Sequence, residues 1–485
     1  MRFLLALIAA SACLCWTGPA AAQQVGQFPF ALTREGQMLG AVEGEVASFK
    51  GMAYAAPPVG PLRFRPPELT PESSEMRTAY EYAAPCPQPS LSGASEDCLT
   101  LNVFRPFGVD GPLPVMVFIH GGGFVRGTAN DPLFDGARFA QAGLIVVTVN
   151  YRLGVLGWLG HPALSESGSG NYGLMDQVAA LHWVHDNIAA FGGDPRNVTL
   201  FGTGAGATSI ALLMLCGEAR ELFQKAILQS VPGRVRLRSR PDAEASGLQF
   251  AATLGKDGAD LRAISVTRLL AAESKLLTKS THAFAPSIDG SLVTEDIAAG
   301  FAAGHESRIP LIIGANDDET GFDSEPDIAE ALASSSGATA EQLYPDLKRR
   351  SDLAARFYTD KVFSEPVRLL ARLHAASGAP TYRYRFGYVP EARRANPEGG
   401  QGRELQFIFG AEGVPGAGIL SRRDREVASR MRAYWINFAR SGDPNGPELP
   451  RWDAAAGSDR LLLITNDGIA SGDDPLAERL DRLAR

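Results

Sequence analysis

Six short apolar runs rich in β-branched residues, at 115–119, 144–149, 198–201, 226–228, 311–313 and 461–464, alternate with helix-like stretches along this chain. The clearest helical patterns between them span 174–191 and 424–439. Strands that are apolar at every position are buried on both faces. With helices between them, they specify an α/β fold around a largely parallel central sheet. Residues 37–64 differ, with short strand-like pieces between Pro and Gly turns, and are expected to form an antiparallel margin to that sheet. Residues 239–280 are expected to be mostly helical, a cap beside any site at the strand ends. The 485 residues would allow about three domains on length alone. No internal repeat or low-complexity linker divides them, so residues 23–485 are expected to form one domain.

The N-terminus has a different character. Arg2 precedes an apolar run at 3–14, and Ala20, Ala21 and Ala22 supply small residues before Gln23. This is the layout of a secretory signal peptide over residues 1–22, and it implies an exported protein, periplasmic or secreted. A retained membrane anchor is the weaker reading, because the run falls short of about 20 residues. A lipid-modified Cys13 is a further alternative. No other segment is long and apolar enough to span a membrane, so the mature chain is expected to have no transmembrane span. The formal charge of −8 argues against nucleic acid or an anionic membrane as partner. Beyond the leader stand Cys86, Cys98 and Cys216. In an oxidising compartment Cys86 and Cys98 are candidates for a disulfide, and Cys216, inside a predicted helix, is read as a small buried hydrophobe.

Two glycine-rich segments carry the chemistry. LFGTGAGA at 200–207 has the outline of G-x-S-x-G, a motif that lifts a serine into a pocket on a tight strand-to-helix turn. Here Gly204 stands at the apex and offers no nucleophile. HGGGF at 120–124 directly follows the strand-like run 115–119. Such a glycine run lets backbone amides converge on one point, as an oxyanion hole requires, and Gly122, Gly123 and Ala205 are the candidate donors.

Longer strings point to a family. GMAYAAPPVGPLRF at 51–64, SEDCLTLNV at 95–103, NYRLG at 150–154, NIAAFGGDP at 187–195 and AYWINFARSGDP at 433–444 together resemble the signatures of type-B carboxylesterases, which include the cholinesterases. The resemblance covers nearly the whole mature chain. It implies an α/β-hydrolase fold, a mostly parallel sheet flanked by helices with helical cap insertions, and a deep pocket over the turn at Gly204. It also implies a disulfide at Cys86 and Cys98. The family triad is Ser, Glu and His in chain order. Glu319, after the strand-like run 311–313, matches the acid. The base lies three residues before the Glu of an E-L-x-F-x-F-G string. ELQFIFG at 404–410 fixes that register and puts Gln401 at the base position. Of seven histidines only His374 lies beyond Glu319, in a helix-like stretch well before that position. Thr203 stands where the family usually has Glu.

A serine esterase needs a nucleophile, a base to take and return its proton, and an acid to orient the base. Glycine cannot be the first and glutamine cannot be the second. Loss of either alone removes rate on the order of 10⁶-fold in a serine hydrolase, against about 10³-fold retained by an oxyanion hole. The substitutions imply a pseudo-esterase that retains its pocket and takes a small ester-like or apolar ligand. One alternative is a protein partner bound on the outer surface, as in the family's adhesion proteins. Another is an active ester hydrolase with an unorthodox site, using Thr203 or Ser209. Gln401 keeps an N–H that would satisfy a buried Glu319. No cofactor or metal motif occurs, and the acidic cluster around Asp317 and Asp318 lacks the spacing of a calcium loop. Arg234, Arg236, Arg238 and Arg240 alternate along a face read as solvated rather than anion-binding.

Overall fold

A computed structural model describes residues 28–164, 170–277, 283–320, 343–347, 349–395, 402–415, 417–456 and 458–484. The leader and Gln401 lie outside these described residues. The strands in chain order are β1 (Phe30–Thr33), β2 (Gly36–Leu39), β3 (Ala41–Glu43), β4 (Val46–Ala53), β5 (Met76–Thr78), β6 (Thr100–Pro106), β7 (Leu113–Ile119) and β8 (Ile145–Val149). Then come β9 (Gly193–Thr203), β10 (Lys225–Gln229), β11 (Arg238–Ser239), β12 (Ser287–Ile288), β13 (Leu311–Asn316), β14 (Thr381–Phe386), β15 (Arg460–Thr465) and β16 (Gly468–Asp473).

Eleven of them form one sheet in the order β16-β15-β14-β13-β10-β9-β7-β8-β6-β4-β3. From β15 through β8 every neighbour is parallel. β16 at one edge and β6, β4 and β3 at the other pair antiparallel. All six apolar runs fall on these strands, with Leu144 alone standing one residue before β8. The two-residue period of a strand divides each run between two cores. Val115, Val117 and Ile119 pack with the helices Tyr172–Asn187 and Ala205–Leu215 on one face. Met116 and Phe118 pack on the other with the helix Arg422–Ser441.

The margin expected over 37–64 splits in two. β3 and β4 do form the antiparallel edge of the main sheet, but β2 leaves it to join a separate sheet, β1-β2-β5. Residues 239–280 supply the helices Arg240–Thr253 and Val266–Leu277, as expected for a cap. Cys86 and Cys98 are joined in a buried disulfide. Cys216 is buried, but it caps the end of the helix Ala205–Leu215 rather than lying inside it.

Candidate functional site

The chemistry-bearing residues gather at the C-terminal ends of β7, β9, β10 and β13, four neighbours in the parallel run, where open α/β sheets place their ligands. β9 ends at Thr203, and the helix begins at Ala205. Gly204 makes the whole turn between them, at φ 54° and ψ −114°. Its N–H donates to the Gln229 carbonyl at 2.9 Å, and its own carbonyl accepts from the Thr208 amide at 2.9 Å and the Thr208 hydroxyl at 3.0 Å. The apex is thus tied to β10 on one side and to the helix on the other.

The loop after β7 leans on this turn. A Cβ on Gly206 would fall 2.0 Å from the Ile119 carbonyl oxygen, and one on Gly121 would fall 2.7 Å from that of Thr203. Only glycine allows both approaches. Gly122 and Gly123 take φ of 113° and 63°, and Phe124 follows at 66°. The loop is held from beneath by the Tyr151 hydroxyl, which donates to the His120 carbonyl at 2.8 Å, and by the Gly154 amide, which donates to that of Phe124 at 2.7 Å. Among the described residues no hydrogen bond engages the amides of Gly122, Gly123 or Ala205.

Glu319 is buried three residues beyond β13. Its Oε1 accepts from the Ser230 hydroxyl at 2.6 Å, the Asn316 amide at 2.6 Å and the Asn316 side chain at 3.2 Å. Its backbone amide donates to Thr359 Oγ1 at 3.0 Å. Oε2 has no partner among the described residues. Burial pushes the Glu319 carboxyl well up from the ordinary range, and the nearby Glu404 carboxyl adds to the shift. Glu404 is also buried and raised by burial, with its Oε1 accepting from Gln229 Nε2 at 3.0 Å. Burial thus favours the neutral form of both carboxyls.

Gln401 lies outside the described residues, while Gly402 brings the chain beside the turn: a Cβ there would lie 3.8 Å from Thr203 Oγ1. His374 is remote in its contacts, with Nδ1 on Glu306 at 3.1 Å and Nε2 on the Ile309 carbonyl at 2.8 Å. His120 is buried against Tyr151, with Nδ1 on the Gly121 carbonyl, and burial lowers it to about 4. Ser209 Oγ is buried and accepts from Gln177 Nε2 at 3.1 Å. The arginine face is only partly solvated. Arg234 pairs with Glu365 and Arg240 with Glu244, while the half-buried Arg238 donates to the Ala285 carbonyl.

Sequence reasoning missed Ser230, Asn316, Gln229 and Glu404 as partners within the site. Ser230 and Asn316 lie at the ends of neighbouring strands, β10 and β13, and that adjacency was the signal available. Glu404 served only to fix a register. Among the described residues no group of three or more His, Cys, Asp or Glu is placed to hold a metal ion.

Comparison with known proteins gives one answer. The profile of the carboxylesterase family matches residues 27–343 and 338–480. The chain is 36% identical over 481 residues to para-nitrobenzyl esterase of Bacillus subtilis strain 168, covering 93% of this chain and 97% of that protein. It is 36% identical over 459 residues to fumonisin B1 esterase of Sphingopyxis macrogoltabida, covering 87% and 83%. Among solved structures, a PNB esterase superposes with a TM-score of 0.83 at 34% identity, covering 94% of this chain and 100% of the other. The Geobacillus stearothermophilus carboxylesterase EST55 gives 0.84 at 32%, covering 94% and 99%. With its parallel sheet, its turn at Gly204 and the glycine loop beside it, this chain belongs to the carboxylesterase family.

Proposed function

We propose that this protein is an exported pseudo-esterase, which retains the family's ligand pocket and does not turn esters over by the Ser-His-Glu mechanism. The observation that carries the reading is Gly204 at the apex of the strand-to-helix turn, where a nucleophile would have to stand. Gln401 at the base position supports it. The amides of Gly122, Gly123 and Ala205 remain as donors for a ligand oxygen. A small ester-like or apolar ligand fits that arrangement.

The test is hydrolysis of short-chain aryl esters by the purified mature chain, by Gly204→Ser, by Gln401→His and by the double variant. The unaltered chain should show no turnover above background, and the double variant should gain it if amides and acid still stand in working geometry. Activity of the unaltered chain that co-purifies with it through successive columns would restore the reading as an active hydrolase, the activity that the names of its relatives carry. A second reading, a partner bound on the outer surface, is favoured by one feature. Phe30, Leu32 and Met76 are each about two-thirds exposed on the same face of the β1-β2-β5 sheet.

A further inference from the structure

We propose that Arg393 and Arg403 together bind an oxyanion, a dicarboxylate or a phosphate group, beside the C-terminal ends of β13 and β14. Such a site stands whether or not esters are turned over at Gly204. Asp317 follows β13, and Gly387 follows β14 so closely that a Cβ there would lie 2.2 Å from the Asp317 carboxylate. Arg393 closes the one-turn helix Glu391–Arg393 just beyond. Arg403 stands between Gly402, which lies beside Thr203, and the buried Glu404. Both arginines are partly exposed, at the end of the sheet where α/β folds take their ligands.

The carboxylates around them already have partners. Asp317 pairs with Arg385, and Glu391 lies 3.9 Å from Arg394. Asp318 Oδ1 accepts from the Thr320 amide at 2.9 Å. Glu404 is held towards its neutral form by burial. Two guanidiniums are left over. Among the described residues neither Arg393 nor Arg403 makes an ion pair or a side-chain hydrogen bond, and Arg403 Nη2 is buried without a partner. Burial pulls the Arg403 guanidinium down from its ordinary range; Asp318 opposes that shift, and the nearby Arg393 charge adds to it. Two neighbouring like charges, one of them half-buried and short of a hydrogen bond, cost free energy that a shared anion would offset. The planar fork of a guanidinium matches the paired oxygens of carboxylate and phosphate alike. Arginines elsewhere are matched within the chain, as Arg234 is with Glu365 and Arg422 with Glu426.

Calorimetric titration of the mature chain with succinate and with inorganic phosphate, at low ionic strength and neutral pH, tests this. Acetate is the singly charged control. At least one of the two should bind, about tenfold more tightly than acetate, and the tighter of them assigns the group as carboxylate or phosphate. Arg393→Gln and Arg403→Gln should each weaken that binding about tenfold or more. Asp318→Asn should tighten it about threefold by removing a like charge. Arg422→Gln, which removes a surface charge outside the site, should leave it unmoved. Without ligand, Arg403→Gln should melt no lower than the native chain, because the guanidinium has no partner to lose. No heat from succinate or phosphate, acetate binding as tightly as either, or binding unaltered in both arginine variants would overturn the site. A lowered melting point of ligand-free Arg403→Gln would also overturn it, by showing the side chain already engaged. None of these outcomes bears on the reading of Gly204, which the ester assays decide.

Discussion

Gly204 holds φ 54° and ψ −114°, a backbone region that residues with a side chain occupy at a cost of about 1–3 kcal/mol. Glycine enters it freely, so the turn here carries no strain of that kind. Gly204→Ser should therefore lower the free energy of unfolding by about 1–3 kcal/mol. Urea denaturation of the two proteins measures it, and an equal or higher midpoint in the serine variant would sink the idea. Ser230, at φ 58°, shows that the site does hold a residue with a side chain at positive φ, and its Oγ donates to Glu319. The positions of Gly204, Ala205 and Glu319 were legible because they follow strands that announce themselves. The partners of Glu319 were not, because Ser230 is 89 residues away and meets it only after β10 and β13 pair.

At the scale of elements, the turn at Gly204 and the loop after β7 form one packed unit. The contact at Gly206 is the tightest part of it, with 2.0 Å left between a would-be Cβ and the Ile119 oxygen. Backbone cannot yield there as the end of a flexible side chain would. Gly206→Ala should cost about 1–3 kcal/mol of stability through overpacking, although alanine is the better helix former by about 1 kcal/mol. Thermal and chemical unfolding would show it, and a stabilised Gly206→Ala variant would mean the two segments are not in contact. The strands of this unit were legible as continuous apolar runs. β14 was not, because Tyr-Arg-Tyr-Arg-Phe at 382–386 alternates apolar with cationic residues. Its Arg383 is buried through an ion pair with Asp474 at 2.9 Å, a partner that sequence periodicity cannot see. The split of the N-terminal margin into two sheets was likewise hidden, since Pro and Gly turns mark where strands end and not which strand they join.

The stability of the whole molecule should respond to pH through Glu273, on the cap helix Val266–Leu277. Its side chain is fully buried against Gly154, whose own Cβ would fall 2.1 Å from the Glu273 carboxyl. The Val155 amide offers it weak relief, and neither oxygen completes a hydrogen bond among the described residues. Burial raises this carboxyl from an ordinary 4.5 to about 7. The folded protein then holds the proton more tightly than the unfolded chain. Its stabilising contribution is full below about pH 4.5 and is lost as pH rises through 7, amounting to about 3 kcal/mol by pH 8.5. Glu273→Gln cannot titrate, so the stability of the native protein relative to this variant should fall by about that amount between pH 4.5 and 8.5. Taking the difference between the two proteins cancels the parallel response of Glu319 and Glu404. A gap that stays constant across the range would rule Glu273 out as the origin.

The turn at Gly204 and the loop after β7 are held together by contacts between Gly121 and Thr203 and between Gly206 and Ile119, all of them internal to the sheet's own packing. Their orientation is therefore inherited with the fold and does not need a substrate to maintain it. On the non-catalytic reading proposed above, the backbone scaffold of turn and loop stands without the reactive side chains it would otherwise carry.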